Sequence, residues 1–230
     1  VSRVQADMIF NRLGVEATVI HHGIDTELYK PAEDPSRDYY LFLNRIMREK
    51  GAIEFIKVCE KVGVRGIVAG EDQFVSNKDY VEKVKELCEK SDYVEYRGRV
   101  TLEEKIELLQ NAKAVVALPI PPYVEVFGLF CAEAMSCGTP VIALANGGLI
   151  DQLNSRLLHS LLCYSIDDVI SKIKMLEGES NHIMLTDPRY LEGYYNMLSS
   201  LSRERAVYSF SKEVMAKRYL DYISSRNRKL

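Results

Sequence analysis

The feature that most narrows what this chain can fold into is a regular alternation between residues 39 and 144. Short runs that are apolar on both faces take turns with stretches of helical, one-sided apolarity. The runs are Tyr39–Leu43, Ile67–Ala69 closed by Gly70, Tyr93–Tyr96, Ala114–Leu118 and Val141–Leu144. Between them, residues 51–62 carry Ile53, Ile56, Val58 and Cys59 amid charge, and 78–90 is charged and amphipathic. Thr101 with Glu104 forms a capping box for a helix over 101–112, and a short helix over 128–137 stops at Gly138 and Pro140. Strands buried on both faces need helices above and below them, which is the arrangement of a parallel sheet. The expected fold is α/β, a Rossmann-like parallel sheet flanked by helices.

The flanks are less regular. Val4, Met8, Ile9 and Leu13 predict a helix over 2–13 ending near Gly14, followed by a short strand at Ala17–Ile20 and a turn at His22-Gly23-Ile24-Asp25. Residues 30–38 read as a surface loop. Across 149–200 the pattern is weak, apart from a helix after Asp167-Asp168 through Val169, Ile170, Ile173 and Leu176. A terminal helix is expected over 211–223, then a polar, basic and solvated tail from Ser224 to Leu230.

In parallel α/β sheets ligands sit beyond the carboxyl ends of the strands. The loops after Leu43, Gly70, Gly98, Leu118 and Leu144 are therefore the candidate site. The first, Asn44 to Gly51, feeds a helix whose open N–H groups favour an anion. Arg45 offers a fork and Lys50 a mobile charge, a pair suited to a pyrophosphate resting at the start of the 51–62 helix. Taken alone, two cations in a loop are more often a solvated surface. The second constellation runs from Glu125 to Pro140, with Glu133 inside a helix of small residues. A carboxylate there needs partners, either sugar hydroxyls or a protein cation. The third is Asn146-Gly147-Gly148, a turn that gives close backbone access or simply connects two elements.

Other chemistries are poorly served. Neither a G-x-G-x-x-G nor a G-x-x-x-x-G-K-[S/T] segment occurs. His21, His22, His159 and His182 have no metal-ligand spacing, no Ser/His/Asp set stands in persuasive strand contexts, and Asp151 either orients a neighbour or caps a helix. A net charge of −3 gives no general attraction to nucleic acid or anionic membrane. Five scattered cysteines read as core residues in a reducing compartment, and no apolar stretch is long enough to span a bilayer. The opening residues resemble neither a signal peptide nor an initiator methionine, so a fragment of a soluble, cytoplasmic protein is expected.

Five features, in order, resemble the carboxyl-terminal domain of the retaining, nucleotide-sugar-dependent glycosyltransferases called family 4, of GT-B architecture. They are the turn at 22–25, Arg45…Lys50-Gly51, the strand Ile67 to Gly70, Tyr96-Arg97-Gly98-Arg99-Val100, and Glu125 with Glu133 around Phe127-Gly128-Leu129 and Gly138-Thr139-Pro140. The match covers about residues 17–153, with a looser one from Phe210 to Tyr222.

The resemblance implies that Arg45 and Lys50 grip the donor's phosphates, and that Glu133 binds ribose hydroxyls. Glu125 would face the transferred sugar, beside Phe127 and the N–H groups of Gly128 and Leu129. Gly98, Arg99 and Val100 would border the base, and Asn146-Gly147 would close on the donor. Catalysis would fall to Arg45, Lys50 and Glu125. The donor would be a UDP- or GDP-sugar such as GDP-mannose, with no cofactor or metal required.

The departures from the family are Val126 in place of proline, Ile150-Asp151 in place of Pro-Glu, and no glycine-rich stretch between Asn154 and Ser165. Residues 1–16 match only the last helix and linker of the family's amino-terminal domain, 17–210 the nucleotide-sugar-binding domain, and 211–230 a terminal helix and tail. The acceptor, a carbohydrate or lipid-linked glycan, would bind through the missing domain, with room for peripheral contact at the membrane's inner face. The fragment alone would transfer little. A sugar-nucleotide epimerase of related fold and a non-catalytic nucleotide-binding module are the alternative readings.

Overall fold

A computed structural model describes residues 1–74, 77–155, 157–179 and 186–227. Its centre is a six-stranded parallel sheet in the order β3-β2-β1-β4-β5-β6. The strands are β1 (Tyr40–Leu43), β2 (Gly66–Ala69), β3 (Val94–Gly98), β4 (Ala114–Ala117), β5 (Val141–Leu144) and β6 (Leu162–Cys163). The helices are α1 (Arg3–Leu13), α2 (Ala52–Val62), α3 (Lys78–Lys90), α4 (Leu102–Asn111), α5 (Leu129–Ser136), α6 (Gly148–Leu153), α7 (Ile166–Leu176), α8 (Pro188–Phe210) and α9 (Lys212–Asn227). β1, β2 and β4 are buried along their whole length. Helices cover them on both faces: α2 packs on α3 and α7, while α5 packs on α4, α6 and α8. The expected α/β sheet is thus the observed one.

Local chemistry sets the helix ends. Ser2 accepts from the Gln5 amide to start α1, and Gly14 ends it in the left-handed region. The Thr101–Glu104 capping box is complete, with Thr101 N–H donating to Glu104 at 2.7 Å and Glu104 N–H returning to the Thr101 hydroxyl at 3.2 Å. Ser165 caps α7 through the Asp168 amide.

Two expectations fail. No strand forms at Ala17–Ile20, where Ala17 and Thr18 are exposed. The chain instead makes a single parallel bridge from Ile24 to Ser211 at the α8–α9 junction, with Ile24 N–H donating to Phe210 O at 2.8 Å. Both edges of β1 are already taken by β2 and β4, so this short apolar run finds no strand partner there. The region 149–200 is also more ordered than its sequence suggests. It contains α6, β6 and the 23-residue helix α8, capped by Asp187 with Pro188 in its first turn. The buried seam of α8 is Tyr195, Leu198, Ser202, Ala206 and Phe210, a helical spacing written partly in small polar and small apolar residues. The Arg203 guanidinium then clamps α8 to the carbonyls of Thr26 and Ser136, each at 2.8 Å. His182 and Ser224 to Leu230 divide differently: His182 and residues 228–230 lie outside the described residues, while α9 runs on through Asn227.

Candidate functional site

The sheet order reverses between β1 and β4, because the chain winds outward from β1 to β2 and β3 before returning to β4. Loops leaving two such strands diverge and open a crevice. That crevice is a cavity of about 580 Å³, a size typical of small-ligand sites.

The β1 loop delivers Lys50 through a tight turn over Arg48–Lys50. Gly51 follows with φ 79°, and a Cβ there would stand 2.3 Å from the Leu118 carbonyl. Only glycine lets the β1 loop press this closely on the end of β4. Across the crevice the loop after β4 delivers Tyr123 and Glu125. The Lys50 ammonium lies 2.5 Å from Glu125 Oε2 and donates to the Tyr123 hydroxyl at 2.7 Å. Lys50 and Glu125 are 5% and 8% exposed, so the pair is nearly dry. Attraction at such a site is strong, but so is the desolvation that opposes it.

The Asn146-Gly147-Gly148 turn holds Glu125 in place. The Asn146 side chain accepts from Glu125 N–H at 2.8 Å and donates to Tyr123 O at 2.9 Å, and Gly148 N–H donates to Glu125 O at 2.7 Å. Asn146 and Gly147 do not border the cavity. They brace the strap that carries Glu125.

A correction concerns the helix end that faces the cavity. Gly51 is packed on Leu118, and the Ile53 amide donates to the Tyr80 hydroxyl at 3.2 Å, so the first turn of α2 does not border the crevice. The terminus that does is that of α5, where Gly128, Leu129 and Phe130 line the wall. Gly128 caps α5 without a side-chain hydrogen bond. Helix starts of this kind favour anions. The helix start that the cavity offers beside Lys50 is thus that of α5, not the predicted one of α2.

Among the other predicted residues, Arg45, Arg99, Val100, Phe127 and Glu133 line the same cavity as Lys50 and Glu125. Arg45 is exposed and forms no ion pair among the described residues. Arg99 stands 3.5 Å from Glu71 Oε2. Gly98 ends β3 behind the wall, its carbonyl accepting from Gly70 N–H at 2.7 Å, and does not border the cavity. Glu133 in α5 is 8% exposed. Its partner on the protein side is the Lys105 ammonium, 2.7 Å from Oε2.

Tyr123, Lys105, His22 and Glu71 also line the cavity and were not predicted. Tyr123 had a signal, since it lies two residues before Glu125 on an extended strap and so shares its side. Lys105 had one too: it precedes the buried Leu108 and Leu109 by three and four residues, on the inward face of α4. Near the pair, burial pushes the Cys131 thiol well above its ordinary value, with the charge of Glu125 adding to it. This sulfur is a neutral packing group rather than a nucleophile. Among the described residues, no three His, Cys, Asp or Glu side chains gather in a way that could hold a metal ion.

Fold and site together define an α/β domain with an anion-favouring crevice at its switch point. The family of glycosyl transferases group 1 matches residues 24–176. The chain belongs to this family.

Among curated proteins it is similar to the alpha-maltose-1-phosphate synthase of Mycobacterium tuberculosis, 28% identical over 221 residues that cover 88% of the chain and 55% of the relative. It is also similar to the D-inositol 3-phosphate glycosyltransferase of Mycobacterium marinum, 32% identical over 57% of the chain and 30% of the relative. The chain thus spans about half, or less, of the length of these relatives. Among solved structures, Anabaena HepE in complex with UDP and glucose has the same fold at TM-score 0.76 and 18% identity, over 97% of this chain and 61% of that one. Sucrose-phosphate synthase from Thermosynechococcus elongatus gives TM-score 0.75 at 23% identity, over 100% and 58%. No helix among the described residues is long and apolar enough to cross a membrane.

Proposed function

We propose that this chain is the donor half of a retaining glycosyltransferase that moves a sugar from a UDP- or GDP-sugar to an acceptor hydroxyl. The observation that carries the reading is the buried Lys50–Glu125 pair, set in one cavity with the start of α5, which no side chain caps. As the bond from sugar to diphosphate breaks, negative charge grows on the leaving group. Lys50, Arg45 and the α5 amides are the groups that stabilise it, and preorganised charge of this kind is often the largest catalytic contribution. Binding of the diphosphate gives Lys50 a second anion, which releases Glu125 to accept hydrogen bonds from the sugar hydroxyls. Glu133 takes the ribose, and Arg99 and Val100 border the base. No cofactor or metal is needed, since cations and a helix end supply the electrostatics.

The acceptor binds to a domain outside this chain, of which residues 1–16 form the last helix and linker. All five cysteines are unpaired and buried, which supports a reducing, cytoplasmic location. The UDP complex of Anabaena HepE makes UDP the first nucleotide to test.

The test is a calorimetric binding panel of UDP, GDP, ADP and their sugar conjugates. A diphosphate nucleotide is expected to bind and to raise the melting temperature, with about 2.7 kcal/mol of added stability at a hundredfold excess over Kd. Binding of none of them overturns the reading. Arg45→Met is expected to leave stability within about 0.5 kcal/mol, because the side chain is exposed and unpaired. It is expected to weaken diphosphate binding about tenfold, the loss of one charge-assisted contact. Equal affinity for the variant and the wild type would remove Arg45 from the site.

A further inference from the structure

Gln152 is a fully buried polar residue to which the donor reading above gives no task. It stands on α6 one turn beyond Gly148, and so on the same helix face. Its Nε2 donates to two backbone carbonyls at once, Phe127 O and Gly128 O, the second at 3.1 Å. The reverse orientation of the amide would set Oε1 against both carbonyl oxygens, so the donor end is the one that faces them. Oε1 itself has no hydrogen-bond partner among the described residues. A buried amide with an orphaned oxygen is costly, and the grip of Nε2 is what offsets that cost.

The two carbonyls belong to the peptides whose N–H groups are those of Gly128 and Leu129, and both peptides are trans. In a trans peptide the C=O and the N–H point in opposite directions. Holding the carbonyls from the α6 side therefore turns these N–H groups the other way, and Gly128 and Leu129 line the cavity. Among the described residues neither amide finds an acceptor. Gly128 has φ 83° and ψ 70°, left-handed backbone that glycine enters without strain and leaves as easily, so the two peptides need an outside hold. Gln152 supplies it, and Arg205 of α8 fixes the backbone behind, donating to Asp151 O at 2.8 Å and to Gln152 O at 3.1 Å. We propose that Gln152 is a positioning residue of the donor site, which keeps the Gly128 and Leu129 amides aimed at phosphate oxygens and so sets how strongly the start of α5 holds an anion. The proposal rests on the donor-site reading, and its test separates the two.

The experiment is a titration of the isotope-labelled chain with UDP and with uridine, followed by backbone amide resonances, with GDP and guanosine as a second pair. In wild type the Gly128 and Leu129 signals are expected to move with the diphosphate and to stay with the nucleoside, since only the former carries an anion. If wild type binds the diphosphate and these two signals stay still, the amides do not hold it and the proposal is wrong. Gln152→Met keeps the volume and removes the donor, and Gln152→Asn, one methylene shorter, reads the same contrast should the first not fold. The variant is expected to bind the diphosphate about tenfold more weakly, to lose the movement of both signals, and to change nucleoside affinity by less than about twofold. If it binds the diphosphate as tightly as wild type, or weakens diphosphate and nucleoside by the same factor, Gln152 does not aim the amides and the proposal is wrong. If wild type binds neither UDP nor GDP, the donor-site reading itself fails and takes the proposal with it.

Discussion

Lys50→Met is expected to remove transfer activity from the complete enzyme and to destabilise the domain in the same stroke. In the resting site the Lys50 ammonium is 2.5 Å from Glu125 Oε2, and both side chains are buried. Removing one member leaves the other charged and unpaired, which costs about 3–5 kcal/mol in comparable buried pairs. Loss of a group that stabilises developing charge lowers turnover by about 10²–10³. The two effects separate in the double variant Lys50→Met with Glu125→Gln. The second change removes the stranded charge, so denaturant midpoints should recover most of their loss while turnover stays low. A double variant that regains turnover with stability would make Lys50 a structural residue only. The split between kcat and KM is equally diagnostic, since the account places the contribution of Lys50 mainly in the transition state.

Gly147→Ala is the second substitution with a large expected effect, although Gly147 does not border the cavity. Gly147 has φ 56°, and a Cβ there would stand 2.1 Å from the Glu125 carbonyl and 2.9 Å from its carbon. That carbonyl is also the one to which Gly148 N–H donates. The strap must shift to admit the methyl, and the shift carries Glu125 away from Lys50. Overpacking costs about 1–3 kcal/mol and left-handed backbone at a non-glycine residue a further increment of similar order. The expected outcome is several kcal/mol lost by denaturant unfolding and donor binding weakened at least as much as by Arg45→Met. Gly193→Ala is the control, because a Cβ there meets nothing within 4 Å in the body of α8. Its stability should hold or rise slightly. Should Gly147→Ala match this control in stability and affinity, the turn does not brace the site.

Much of this was legible in the sequence because one rule dominated. Runs apolar on both faces can only be the middle of a helix-covered sheet, and Tyr39–Leu43, Ala114–Leu118 and Val141–Leu144 obeyed it. Ala17–Ile20 is a similar apolar run and forms no strand, because pairing needs a sheet edge brought within reach, which is a property of the assembled sheet and not of the run. Helix α8 stayed hidden for the opposite reason. Its seam includes Ser202 and Ala206, small enough to let it approach α5 and too small to mark a stripe.

The site divides in the same way. Residue types named Arg45, Lys50, Glu125 and Glu133, and all four border one cavity. Which group touches which was not legible. The loop before α2 suggested a phosphate at that helix start, yet Tyr80 fills it, and the open terminus belongs to α5. The pairing of Lys50 with Glu125 joins residues 75 positions apart, and the sheet order brings them together.

The most direct test of the central claim is a crystal structure of the chain soaked with UDP or GDP. A diphosphate is expected at the amino end of α5, in contact with Arg45 and with a Lys50 ammonium drawn away from Glu125. A nucleotide bound outside this crevice, or one bound within it while the Lys50–Glu125 pair stays closed, would contradict it.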